Sequence, residues 1–151
     1  MEKMKALATA VLSAVMGRLG ILAVPVFLMV GCNIVDYITG LMAAGCRKEG
    51  INSYKGIRGI IKKVCMWLLV IVGSWIDILI RYTVQCTGIG IEVPFIVATV
   101  VAMWLVVNEI LSILENMIDI GVDMPPFLMP VVKQIRKQIE ESAEMTKEEE
   151  G

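Results

Sequence analysis

Histidine is absent from the 151-residue sequence, and cysteine occurs only four times. Without histidine, the chain lacks the residue that most often serves as a general base or a metal ligand. The cysteines, at positions 32, 46, 65 and 86, have neither metal nor redox spacing and predict no disulfide framework. No phosphate-binding loop and no pair of nucleophile and base is visible. We therefore expect no catalytic, cofactor-binding or metal-binding residues, and no enzyme.

Charged residues are also scarce, at 19% of the chain, whereas 57% of the residues are hydrophobic and the mean hydropathy is +0.75. A soluble domain is about 45–50% apolar. The excess lies in three runs, residues 19–44, 64–80 and 93–114. Each reaches or approaches the roughly 17–25 residues that span a bilayer core. The sequence therefore predicts an all-α membrane protein whose residues 19–114 form three transmembrane helices.

The two ends of the chain have a different composition. Residues 1–18 combine a basic start with small apolar residues, and Arg18 separates them from the first long run. They predict a helix at the membrane interface, with a frayed extension of the first transmembrane helix as the alternative. Residues 115–151 predict a cytoplasmic tail, in which Pro125, Pro126 and Pro130 precede a short amphipathic helix.

Each predicted transmembrane helix carries an acid on a face of small or polar residues. A charge inside the membrane costs about 2.5–3.5 kcal/mol on insertion scales, so it indicates a functional site. We interpret the three faces as one shared polar seam, where helices contact each other or water. The candidates for this helix interface or pore are Asn33, Asp36, Tyr37, Gly40, Asp77, Asn108, Glu109 and Ser112.

Two of these acids have simpler alternative interpretations. Asp36 is hydrated if it lies near the lipid head groups. Its charge is otherwise offset by a hydrogen-bonded neighbouring helix, or by Lys62 or Lys63 reaching in from the cytoplasmic edge. Asp77 precedes Arg81 by four residues, the favourable order for an ion pair within a helix, and we favour that structural role.

The loop between the first two runs, residues 45–63, holds the densest group of basic residues in the chain. Lys55, Arg58, Lys62 and Lys63 are expected to contact anionic lipid at the membrane surface. Nucleic acid is not an expected partner, because apolar segments hold this loop at both ends. The loop and tail together carry ten Lys and Arg residues, against four on the other side. This asymmetry predicts a cytoplasmic loop and C-terminus and an N-terminus outside.

Three blocks of sequence resemble the phage holin family, the three-helix holins that include toxin secretion/phage lysis holins. They are VDYITG at 35–40, SYKGIRGIIKK at 53–63, and NEILSILEN at 108–116 with the following GVDMPPFL. The resemblance implies a small protein of the bacterial inner membrane that accumulates, self-associates and opens lesions. Its cargo would be an endolysin that lyses the host cell, or a toxin. The implied partners are further copies of the chain, the lipid bilayer and an antiholin.

Two other functions remain compatible with the residues. A membrane scaffold or antiholin would use the same helices to bind a partner without forming a pore. A small ion-coupled transporter would use the three acids as a relay, although the short chain and the lack of a recognisable repeat disfavour it.

Overall fold

The computed structural model describes residues 1–47, 53–88 and 91–148, and it contains no strand among them. The helices are α1 (Glu2–Leu19), α2 (Ala23–Cys46), α3 (Ser53–Cys86), α4 (Ile96–Ile120) and α5 (Leu128–Glu148), with a 3-10 turn at Gly20–Leu22. Three segments are long and apolar enough to cross a membrane: Met16–Cys46, Gly56–Cys86 and Ile96–Ile120. The predicted all-α fold with three transmembrane helices is confirmed.

Two helices end at a glycine, and a third has a proline in its first turn. Gly20 has a φ of 53° and ends α1, and Pro25 lies in the first turn of α2, where the missing backbone N–H breaks no helical hydrogen bond. Gly121, with a φ of 95°, ends α4 in the left-handed conformation. Its N–H and that of Val122 bond to the last carbonyls of the helix, those of Ile118 and Met117. The chain can then reverse direction through Pro125 and Pro126.

Helix α4 is the central element, because it packs against α2, α3 and α5. Ala98 and Ala102 are completely buried on it. A Cβ atom added to Gly73 of α3 would lie only 3.0 Å from the Cα atom of Ala98. Small residues therefore let the backbones of α3 and α4 approach closely, as is common between membrane helices.

Helix α3 is longer than the second predicted transmembrane segment. The sequence predicted a basic amphipathic segment followed by a spanning helix from residue 64, and the structure joins the two in one helix of 34 residues. The basic residues 55–63 therefore lie on the first turns of α3. Residues 48–52 of the predicted loop are outside the described residues.

Helix α5 folds back along α4. Its Val132 and Ile139 are buried in one apolar cluster with Val107, Leu111 and Leu114 of α4. At the far end of this contact, the indole N–H of Trp104 donates to Glu140 Oε1 over 2.9 Å. The predicted C-terminal amphipathic helix is therefore present, and the structure packs it antiparallel to the third spanning helix.

Candidate functional site, a polar cluster between three helices

Polar side chains from α2, α3 and α4 meet at one place in the bundle. We call this group the polar cluster. Its members are Asn33, Asp36 and Thr39 of α2, Lys63 of α3, and Glu109 and Asn116 of α4.

Lys63 lies at the centre of the polar cluster. Its Nζ atom donates to Asp36 Oδ2 over 2.8 Å and to Asn33 Oδ1 over 3.4 Å. It also forms an ion pair with Glu109. One ammonium group therefore links two carboxylates that belong to different spanning helices.

Asn116 extends the cluster toward the ends of α2 and α4. Its Nδ2 atom donates to Asp36 Oδ1 over 3.1 Å and to Thr39 Oγ1 over 3.3 Å. The Thr39 hydroxyl in turn donates to the carbonyl of Val35 in its own helix over 2.9 Å. Both carboxylate oxygens of Asp36 thus have a partner on another helix.

The cluster is shielded from its surroundings but not neutral. Glu109 is 5% exposed and Thr39 is 8% exposed, while Asp36 and Lys63 are partly buried. With two carboxylates and one ammonium, its formal charge is −1. Burying ions is costly, and loss of one partner leaves an uncompensated charge that costs about 3–5 kcal/mol. The positive charge of Lys63 thus allows the carboxylates of Asp36 and Glu109 to lie close together.

A half-open groove of about 650 Å³ lies beside the polar cluster. Asp36, Lys63 and Glu109 line its inner wall. The other polar residues around it are Lys62, Asn108, Ser112, Glu115 and Arg136. The groove gives the cluster a polar route to the surface of the bundle, on the side where α5 packs.

The structure brings together most of the predicted interface candidates. Asn33, Asp36 and Glu109 are in the polar cluster, and a Cβ atom on Gly40 would lie 3.7 Å from Asn116 Nδ2. Asn108 and Ser112 line the adjacent groove.

Other candidates lie apart from the cluster. Tyr37 is 47% exposed on the outer side of α2. Of the basic residues, Lys62 lines the groove and Arg58 is exposed on α3. The side chain of Lys55 is outside the described part of the structure.

Asp77 has a different role from the one favoured by the sequence. It is 1% exposed, and its two oxygens accept the backbone N–H groups of Val97 and Ala98 at 2.9 and 2.8 Å. These N–H groups belong to the first turn of α4, where no helical carbonyl can accept them. The expected ion pair with Arg81 is not formed, because Arg81 instead donates to the carbonyl of Val93. Asp77 therefore holds α3 to the start of α4 and is not part of the predicted polar seam.

Sequence reasoning missed two members of the cluster. Thr39 was not selected, although it follows Asp36 by one helical turn. Asn116 was not among the candidates, although it follows Glu109 by seven residues, or two helical turns. Lys63 was assigned to the membrane surface, with contact to Asp36 as an alternative, and the structure shows that it points into the bundle.

Uncharged stretches of similar length separate the polar cluster from a second group of charges. Residues 19–35 and 93–108 carry no charged side chain, and residues 64–80 carry only the buried Asp77. At 1.5 Å per residue, each stretch is about 25 Å long, near the thickness of a hydrocarbon core of about 30 Å. This spacing indicates that the cluster lies near one boundary of the apolar layer. Arg18, Arg81 and Glu92 lie at the other boundary.

Comparison with known proteins identifies the family. The family model described as the bacteriophage holin family matches residues 10–137, which include all three spanning segments and the polar cluster. The chain belongs to the bacteriophage holin family. Membership confirms the resemblance of the three sequence blocks, and with the three apolar helices it makes this holin-family chain a multi-pass membrane protein.

Individual relatives agree with this assignment. The probable holin of Bacillus phage phi105 is 36% identical over 98 residues, which are 65% of this chain and 64% of that protein. An uncharacterised protein of Halalkalibacterium halodurans is 33% identical over 106 residues, 70% of this chain and 68% of its own length. One of Clostridium perfringens is 29% identical over 114 residues, 76% of each chain. No solved structure matches this holin-family chain.

Proposed function

We propose that this chain is a holin that self-associates in the bacterial cytoplasmic membrane and opens lesions that release an endolysin or a toxin. The observation that carries the proposal is the polar cluster. In it, charged side chains from three spanning helices form ion pairs within a single chain.

The cluster suits the dispersed state of a holin. A chain that must accumulate in the membrane cannot present Asp36, Lys63 and Glu109 unpaired to lipid, because a charge costs up to about 3 kcal/mol within the apolar layer. The ion pairs compensate these charges, and the remaining outer faces of the bundle are rich in Leu, Ile and Val. The closed bundle can therefore accumulate without forming a pore.

The same groups suit the assembled state. Once many chains collect, the groove beside the cluster can widen, and Asp36, Lys63 and Glu109 then contact water instead of one another. Lys62, Asn108, Ser112 and Glu115 extend this polar surface at the same end of the bundle. One mouth of the lesion would thus be lined by Asp36, Lys63 and Glu109, which pair with one another in a single chain.

The remaining parts of the proposal follow from the family and the charge distribution. The chain acts without catalysis, and its partners are other copies of itself, anionic lipid at the basic start of α3, and an antiholin. The first interhelical loop and the C-terminus are cytoplasmic, and the N-terminus is outside.

The test uses substitutions in the polar cluster during induced expression in bacteria. Asp36→Leu removes the charge and its hydrogen bonds, and Asp36→Asn removes the charge alone. Gly40→Leu introduces a branched side chain toward Asn116, which lies 3.7 Å from a Cβ atom at that position. We expect the two Leu variants to insert but to lyse late or not at all, with Asp36→Asn intermediate. Lysis time and crosslinked oligomers are measured together at matched membrane levels.

Tyr37→Leu is the matched control, because Tyr37 is the exposed neighbour of Asp36. It should lyse like the parent. If Asp36→Leu also crosslinks and lyses like the parent, the cluster has no part in the lesion. If the parent forms oligomers but releases no cytoplasmic protein, the chain is a scaffold or an antiholin. Substrate-dependent flux at low protein density in proteoliposomes would instead indicate a transporter.

A further inference from the structure

A second pocket lies at the end of the bundle opposite the polar cluster. It has a volume of about 490 Å³ and is formed where the 3-10 turn, the end of α3 and the segment before α4 meet. Arg18, Arg81, Gln85 and Glu92 are its polar residues. Two arginines from separate helices thus line the same pocket.

Arg81 is held in a fixed orientation in this pocket. Its Nε and Nη2 atoms donate to the carbonyl of Val93 over 3.1 and 2.9 Å, and its guanidinium lies 5.0 Å from the centre of the Phe95 ring. No carboxylate among the described residues pairs with it. The guanidinium has five N–H donors, so part of its donor capacity remains for a ligand.

Arg18 supplies the second cation from the last turn of α1. Among the described residues, it forms neither a hydrogen bond nor an ion pair. Gly20, with its positive φ, turns the chain two residues after Arg18, and Arg18 lines the same pocket as Arg81. A guanidinium pair of this kind matches the oxygen atoms of a phosphate group.

The surroundings of the pocket match a lipid better than a soluble phosphate. Leu19, Ile21 and Ile91 line it beside the arginines, and Ile21 and Ile91 are exposed. Both arginines lie at one end of the uncharged stretches, which is the level of the head groups if those stretches fill the apolar layer. A head group bound there would leave its acyl chains beside exposed apolar side chains.

We propose that this pocket binds the head group of an anionic phospholipid, with Arg18 and Arg81 donating hydrogen bonds to its phosphodiester oxygens. Glu92 repels a second anionic group and therefore favours a head group with a single phosphate. Lipid binding there involves none of the residues of the polar cluster, which lie at the opposite end of the bundle.

The test is native mass spectrometry of the full-length chain in detergent, titrated with phosphatidylglycerol or with phosphatidylcholine. We expect the first phosphatidylglycerol to bind more tightly than phosphatidylcholine. Arg18→Gln and Arg81→Gln should each weaken its binding by about fivefold, since one basic group near a lipid surface contributes about that factor. Lys5→Gln makes the same charge change on α1 outside the pocket and should leave the affinity within about twofold.

Two further measurements test the assignment. Arg81→Lys keeps the charge but not the planar donor group, so it should retain part of the preference even if Arg81→Gln disturbs the contact with Val93. Inorganic phosphate at millimolar concentration should not displace the lipid. Equal binding of the two lipids, equal effects of Arg18→Gln and Lys5→Gln, or displacement by inorganic phosphate would each overturn the proposal.

Discussion

At the scale of single residues, the balance of the polar cluster depends on Lys63. Among the described residues, it is the cation that contacts both Asp36 and Glu109, and these acids belong to different helices. A neutral side chain at position 63 would leave two partly or fully buried carboxylates next to each other. Like charges in that arrangement repel, and neither carboxylate would retain an oppositely charged partner.

Lys63→Met should therefore lower the stability of the bundle by about 3–5 kcal/mol, the range for breaking a buried ion pair. The measurement is unfolding in mixed detergent micelles, together with the amount of protein in the membrane. Lys62→Met is the matched control, because Lys62 is exposed on the neighbouring position. The triple change Lys63→Met, Asp36→Asn and Glu109→Gln should recover much of the loss. If the single change is as stable as the Lys62 variant, the ion pairs contribute nothing.

A second prediction concerns Asp77, which accepts two backbone N–H groups of α4. Asp77→Leu should destabilise the start of α4 by about 1–3 kcal/mol for each N–H group left unpaired, and Asp77→Asn should have a smaller effect. Hydrogen exchange at Val97 and Ala98 measures this directly. Glu92→Gln, an exposed acid at the same end, should change neither rate. Exchange in Asp77→Leu that matches the parent would refute the role assigned to Asp77.

At the scale of elements, α5 is held to the spanning helices through its contact with α4. Val132 and Ile139 pack against α4, but the polar side of the contact is exposed. There Glu140 accepts from Trp104 and from Arg136, and the guanidinium of Arg136 lies 5.5 Å from the centre of the Trp104 ring. Exposed ion pairs contribute little, so α5 should separate from α4 more easily than the spanning helices separate from one another.

Protonation of Glu140 in acid should loosen the contact between α5 and α4. The indole N–H of Trp104 and the guanidinium of Arg136 hold the pKa of Glu140 below its ordinary value of 4.5. A lowered pKa in the folded state stabilises the contact above pH 4.5, and this contribution is lost as the pH falls through the lower value. The emission of Trp104, with Trp67 and Trp75 replaced by Phe, should change in that acid range.

The control for this titration is Glu140→Gln, in which the acid-dependent change should disappear. Trp104→Phe removes the indole donor and should loosen α5 already at neutral pH, as measured by hydrogen exchange over residues 132–139. An unchanged titration in Glu140→Gln would mean that another group controls the position of α5.

At the scale of the whole molecule, the bundle has two charged ends and an apolar middle. The polar cluster and the basic start of α3 form one end, and the pocket with Arg18 and Arg81 forms the other. Two native cysteines report on these ends, since Cys46 at the end of α2 and Cys86 at the end of α3 are both exposed. They allow the predicted orientation to be tested without introducing a cysteine at a new position.

We expect a membrane-impermeant maleimide to label Cys86 on intact cells, and to label Cys46 only after permeabilisation. Each is tested as the single cysteine of a chain in which the other three are replaced by Ala. A chain without cysteine is the control for background labelling. Labelling of Cys46 on intact cells would reverse the proposed orientation, with the basic start of α3 then outside.

The sequence predicted much of the candidate site, but not its partners. The helical period of 3.6 residues was enough to put Asn33, Asp36 and Gly40 on one face of α2, and Glu109 on the corresponding face of α4. It left contact between Lys63 and Asp36 as one of several alternatives and did not reveal the contact between Lys63 and Glu109, because Lys63 ends a run of basic residues suited to a membrane surface. Asp77 shows the same difference, since Arg81 is its neighbour in sequence but the start of α4 is its neighbour in space.

The sequence by itself determined those properties that depend on neighbouring residues in the chain, such as mean hydropathy. Hydropathy over a window predicts the three spanning helices, and the prolines predict that the chain cannot continue as one helix through residues 125–130. The last spanning helix runs to Ile120, six residues beyond the predicted end at residue 114. The tertiary structure alone decided how the helices are aligned along their axes. That alignment brings Lys63 level with Asp36 and Glu109, and it sets Glu140 against Trp104. Such contacts depend on the packing of Gly73 and the small residues of α4 between helices distant in sequence, which no local pattern contains.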